Sequence, residues 1–188
     1  MRNSVQNLQN NPPTKNRTDF GFYLHSTASI TQSGVMSTLK YLLIDGHSVI
    51  FAWKMLRTLH QRKPRSAREQ LIKTTQILHD SGKWKVTLVF DGKTRGSEET
   101  RPQDMIIAYA SENETADSLI ERTIGAFPYP DQICVVTDDH AEAQTVLSLG
   151  AHTESSEWLE AEIQSSQNQL DTTLKSLHQK KSSPSIQF

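Results

Sequence analysis

The sequence predicts an α/β domain with a mainly parallel central sheet flanked by helices, and three observations predict it. The runs KYLLID, WKVTLVFD and QICVVTDD are apolar and rich in β-branched residues, as buried parallel strands are. Segments of helical period with cap and stop residues lie between them. Strand and helix patterns alternate along the chain, the order that lays helices on the faces of a parallel sheet.

The elements follow in order. A first strand covers Lys40–Asp45, and a short helical region follows around 50–59. A helix over about 66–79 has Ser66 as its N-cap, Leu71, Ile72 and Leu78 at helical spacing, and Gly82 just past its end. Next come a strand over 85–90, a charged loop over 92–103, a short strand over 105–109 and a helix over 114–125. PYPDQ makes a turn before a strand over 133–137 and a helix over 141–149 that stops at Gly150. An extended piece at 151–153 leads to a last helix starting at Ser155 or Ser156. No internal repeat is visible.

The chain of 188 residues fits one domain with tails. Residues 1–37 are rich in Asn, Gln, Ser and Thr, contain Pro12-Pro13 and have no structural period, so they read as a disordered tail. Met36 is an alternative start. Residues 38–167 form the expected domain, and 168–188 a polar tail with a frayed helix. The net charge of −1 gives no global basic signature for nucleic acid, so local charge must carry that argument. Cys134 is the single cysteine; it cannot form an internal disulfide and reads as a small core residue. A reducing compartment, the cytoplasm, is expected. An organellar address in the basic, acid-poor tail is the alternative. No apolar run is long enough to span a bilayer, so no membrane association is expected.

Four acidic clusters carry the functional signal. Asp45, Asp91 and the Asp138-Asp139 pair end the three apolar runs, and Glu114 and Asp117 stand in ENETADSLIER. Residues at the carboxyl ends of strands in an open parallel sheet line one crevice, where ligands bind. Carboxylates crowded there repel one another unless a divalent cation neutralises them, and hard oxygen ligands suit Mg²⁺ or Mn²⁺. Each residue alone also has an ordinary explanation. Asp139 precedes HAEAQTVLSL and reads as its N-cap. Asp45-Gly46 and Asp91-Gly92 would pass as turns. Glu114 and Asp117 would suit a helix N-terminus, and their three-residue spacing can place them on one face. Their joint placement raises the functional reading.

The pieces LLIDGHSVI, VTLVFDG, SENETADSLIER and VVTDDHAEAQTVLSLGA, in that order, resemble the YacP-like NYN family within the PIN-like nuclease group. The resemblance covers about 41–163. It implies a PIN-like α/β domain and an endoribonuclease dependent on Mg²⁺ or Mn²⁺, acting on messenger RNA in association with ribosomes. It also implies that Asp45, Asp91, Asp117 and Asp138 form the catalytic and metal-binding acids, with Glu114 a further metal ligand. The family pattern after the first strand is DGYN or DGxN. This chain has DGHS, so Ser48 replaces an amide with a hydroxyl that has one donor fewer.

RNA also needs cations around an acidic floor. Ser48, Lys54, Arg57, Arg62, Lys63, Arg65 and Arg68 lie just beyond the first strand, and Lys93, Arg95 and Arg101 lie in the loop after the second. As a group the first segment reads as a phosphate-binding rim, although any one of these residues alone reads as ordinary solvated surface. Trp53 and Phe51 are candidates for base stacking, with a core role favoured for Phe51, and Trp158 reads as packing. His47 and His140 flank the acids; capping or surface roles are favoured for both. Two competitors remain at this level. One is a non-catalytic RNA- or ribosome-binding module of the same fold. The other is an α/β phosphatase with an aspartyl nucleophile, which usually carries a DxD motif where this chain has DGH.

Overall fold

The structure, a computed structural model, describes residues 40–92, 105–111 and 113–181. The N-terminal tail, the last residues of the chain, most of the charged loop and, with that loop, Lys93, Arg95 and Arg101 lie outside the described residues. The elements run β1 (Lys40–Asp45), α1 (Gly46–Ala52), α2 (Lys54–Arg62), α3 (Pro64–Asp80), β2 (Trp84–Phe90), β3 (Ile106–Tyr109), α4 (Ala116–Ala126), β4 (Ile133–Val136), α5 (His140–Ser148), β5 (His152–Glu154) and α6 (Ser156–Lys181). All five strands are parallel, in the order β3-β2-β1-β4-β5. The chain moves outward from β1 through β2 to β3, then returns to the other side of β1. The crossovers therefore part at the carboxyl ends of β1 and β4, the place where such sheets bind ligands.

The strands divide their side chains by parity. Leu42 and Ile44 of β1, Val86, Leu88 and Phe90 of β2, and Cys134 and Val136 of β4 join one core with α1, α2, α3 and α6. Tyr41, Leu43, Val89, Ile133 and Val135 join the other, with Leu119, Ile120 and Ile124 of α4 and Val146 of α5. The β1 register pairs Tyr41 with Ile133 and Leu43 with Val135, so both strands present the same face at each step. This parity decides where the acids beyond the strand ends go.

Most expected elements appear within a residue or two, and the differences have local causes. The region around 50–59 is two helices, because Trp53 leaves the helix with ψ 114° and its indole N–H donates to the Ser156 carbonyl at 3.1 Å. The third helix starts at Pro64, not Ser66, since proline at the first turn lacks only an N–H that has no partner there. The fourth begins at Ala116 after an N-cap at Thr115, which leaves Glu114 outside it. The last helix continues to Lys181, through most of the segment read as a tail. Gly150 stops α5 with φ +87°, as its position suggested. Gly46 is a helix start, not a turn with positive φ. A Cβ there would overlap the buried Phe90 ring, so glycine is required by close approach.

Candidate active site

Asp45 is built into the end of β1 and the start of α1 at once. Its two oxygens accept from the backbone N–H of His47 at 2.9 Å and of Ser48 at 3.2 Å, so it caps α1. It is also 6% exposed. Burial pushes its pKa up to about 6 against the pull of those two N–H groups, and the Asp117 charge adds to the rise. By parity the residue after Ile44 belongs on the α4–α5 side of the sheet. That is where its carboxylate partners stand.

Asp117 lies in the first turn of α4, and Glu142 in the first turn of α5. Asp45, Asp117 and Glu142 each offer a carboxylate oxygen within 4.8 Å of the others. Partial burial first, then the Asp91 and Asp139 charges, raise the Asp117 pKa. Glu142 is the unusual member. It is 3% exposed, and among the described residues neither of its oxygens has a hydrogen-bond partner of sound geometry. Burial pushes its pKa up to about 7; the nearby Thr137 side chain opposes this, and the Asp45, Asp117 and Asp139 charges reinforce it. A buried carboxylate with open oxygens is costly unless something supplies positive charge. Three hard oxygen donors in one cluster, one of them orphaned, fit a hard divalent cation.

The remaining expected acids surround this cluster in different roles. Asp91 receives the Ala116 N–H at 2.7 Å on one oxygen and meets His47 Nδ1 at 3.0 Å with the other, which ties the end of β2 to the start of α4. Its charge reaches Asp117. Asp139 is the N-cap of α5, as the sequence suggested, and accepts from Ala141 and Glu142 N–H through one oxygen. Its charge reaches both Asp117 and Glu142. Asp138 is one step out of parity and turns to the α6 side, where it accepts from Ser156 N–H at 3.0 Å and from the Ser156 hydroxyl. The structure therefore places it outside the three-carboxylate cluster. Glu114 is also outside: Arg122 grips both its oxygens, at 2.9 and 3.1 Å, and this pairing holds its pKa low. Ser48 accepts the Asp138 N–H at 2.7 Å, so its hydroxyl joins the ends of β1 and β4.

Glu142 was missed in the sequence, although a signal was there. Asp139 and Glu142 have the D-x-x-E spacing of a capping box, in which the glutamate reaches back to the cap N–H. Here the Thr137 hydroxyl takes the Asp139 N–H at 3.0 Å. Glu142 is thereby released from capping and turns inward.

The basic residues divide as well. Lys54, Arg57, Arg62, Lys63 and Arg65 are exposed along α2 and the start of α3, and Arg65 pairs with Glu69 at 2.9 Å. Arg68 is half-buried, with its guanidinium 5.8 Å from the centre of the Phe90 ring. Trp158 packs edge-on against Trp84 at 5.8 Å, as expected.

The model of the YacP-like NYN domain matches residues 42–187. The chain belongs to the YacP-like NYN domain family. This is a family of the PIN-like nuclease group, and a nuclease, hence hydrolase, activity is what membership generally implies. The protein YacP of Bacillus subtilis is 28% identical over 143 residues, 74% of this chain and 84% of that protein. The crystal structure of Rae1 (YacP) from Bacillus subtilis matches with a TM-score of 0.65 at 27% identity, covering 76% of this chain and 84% of that one. A single-substitution variant of the same protein matches with a TM-score of 0.63, covering 75% and 85%. No described helix is long and apolar enough to cross a membrane.

Proposed function

We propose that this NYN-domain protein is an endoribonuclease that hydrolyses RNA phosphodiester bonds with Mg²⁺ or Mn²⁺ held by Asp45, Asp117 and Glu142. The observation that carries this reading is Glu142: buried, without a hydrogen-bond partner of sound geometry among the described residues, and within reach of two further carboxylates. When bound, a divalent cation lowers the pKa of a water and offsets charge on the phosphate oxygens. The chain's own groups do the rest. Asp91, oriented by His47 and the Ala116 N–H, presents a half-exposed carboxylate beside Asp117 that can align a water and take its proton. Asp139 keeps one oxygen for its cap and adds negative charge at the mouth. Lys54, Arg57, Arg62 and Lys63 supply the cationic rim that an RNA backbone requires. Messenger RNA on the ribosome, in the cytoplasm, is the setting that the family resemblance suggests.

The competing readings fit less well. An aspartyl phosphatase usually carries a DxD motif after its first strand, where this chain has DGH. A purely RNA-binding module gains nothing from a buried, open glutamate that repels polyanions. The test is cleavage of labelled RNA in Mn²⁺, Mg²⁺ or EDTA, beside calorimetric titration of Mn²⁺ into the protein and its Glu142→Gln variant. Metal-dependent cleavage, with binding weakened in the variant, is expected. Equal cleavage in EDTA would overturn the proposal.

A further inference from the structure

A chain of rings leads away from the acids. His47 meets Asp91 at one edge, and its ring centre lies 6.1 Å from Phe51 and 6.2 Å from His60. Phe51 and His60 stand edge to face at 5.1 Å. The sequence favoured a core role for Phe51, yet it is 49% exposed, while its neighbours Val49 and Ile50 are fully buried. The α1 helix thus fills the core with two residues and turns its aromatic one to solvent. An exposed large aromatic residue loses the benefit of burial, and here the half-buried His47 and His60 rings back it, a pattern that suits an interaction surface. Two exposed cations flank it: Lys54, and Arg57, whose guanidinium reaches back to the Phe51 carbonyl at 3.4 Å. The other stacking candidate, Trp53, is held by Ser156 and is structural.

A ring face for a base with cations for the neighbouring phosphates is the pattern by which proteins hold unpaired RNA. We propose that Phe51 and His60 form a nucleobase-stacking subsite for one unpaired base next to the scissile phosphate. The His47 ring links Phe51 to Asp91, so the base belongs to a nucleotide adjoining the cleaved bond. The subsite gives the enzyme a preference for single-stranded segments, because a base held in a duplex cannot reach the ring. This inference rests on the ribonuclease reading of the acid cluster.

The test is binding of a short unpaired oligoribonucleotide containing 2-aminopurine, in EDTA so that no cleavage intervenes. Phe51→Ala is expected to bind roughly tenfold more weakly and to lose the fluorescence change that stacking produces, whereas Phe51→Trp retains both. Replacing the bases one at a time by abasic nucleotides supplies a cycle. At one position the loss of the base should weaken the unmodified protein about tenfold and the Phe51→Ala variant no further. Unchanged affinity of folded Phe51→Ala, or an equal abasic penalty in both proteins at every position, overturns the subsite; the patch would then serve a protein partner instead. The two readings fail separately. If Glu142→Gln cleaves normally while the abasic coupling persists, the acid-site reading falls and the stacking site stands.

Discussion

Two glutamates in this molecule meet opposite fates. Glu162 on α6 receives the Trp84 indole N–H at 2.9 Å and the Lys83 ammonium at 2.6 Å. Burial alone would raise its pKa, but those two partners together outweigh burial and lower it. Glu142 on α5 is more deeply buried, has no hydrogen-bond partner of sound geometry among the described residues and is pushed up to about 7. A carboxylate kept for stability is given its donors by the fold. A carboxylate left open in a cluster of like charges is a candidate for a functional role. The difference teaches which acid to test first.

The largest expected effect is on catalysis. Glu142→Gln and Asp45→Asn should each reduce RNA cleavage by about 100-fold or more, judged from the charge each removes at a metal site. The metal-free Glu142→Gln form should melt no lower than the unmodified protein, because a repelling carboxylate is gone, whereas Asp45→Asn trades that relief against one of its two cap hydrogen bonds. A cleavage assay and a melting curve check both halves. Asp138→Asn should reduce cleavage far less than either, since that side chain holds α6 rather than the cluster.

The next prediction concerns pH. Asp45 and Glu142 have folded pKa values raised to about 6 and about 7, above their unfolded values. Between about pH 4 and 7 the folded state therefore binds more protons than the unfolded one, and metal-free stability falls as pH rises through that window. The loss is about 3 kcal/mol at most for each group. Bound Mn²⁺ displaces those protons, so it should raise the melting temperature strongly at pH 8 and little at pH 5. A metal-induced shift independent of pH would separate the cluster from the metal.

Glu162→Ala provides the contrast. It leaves the Trp84 N–H and Lys83 without their acceptor, so the melting temperature should drop by roughly 3–6 °C with cleavage unchanged. Loss of cleavage without loss of stability would abolish the distinction between the two glutamates. The smallest effect is at the rim. Replacing Arg62, Lys63 and Arg65 together by Ala should weaken RNA binding, with metal binding intact. The log–log salt slope should fall by about 1 for each phosphate that no longer meets a cation. Arg65 should contribute least, because Glu69 already pairs with it.

Much of this was legible in the chain because strands, caps and stops are local. The apolar runs, the Asp139 cap and the Gly150 stop follow from neighbouring residues and their backbone preferences. So does the convergence of Asp45 and Asp91 at strand ends, which a parallel sheet enforces. Two site assignments were not local. The run QICVVTDD is apolar on both faces, so its parity is invisible until the register with β1 is set. Only then does Asp138 fall on the α6 side and Glu142, beyond Thr137, on the side of Asp45. Phe51 turned outward for a similar reason: Val49 and Ile50 fill the space beneath α1. The sequence by itself determined the α/β order and the supply of acids at one edge. Tertiary structure decided which acids meet, because the face a side chain takes depends on the strand beside it and not on its neighbours in the chain.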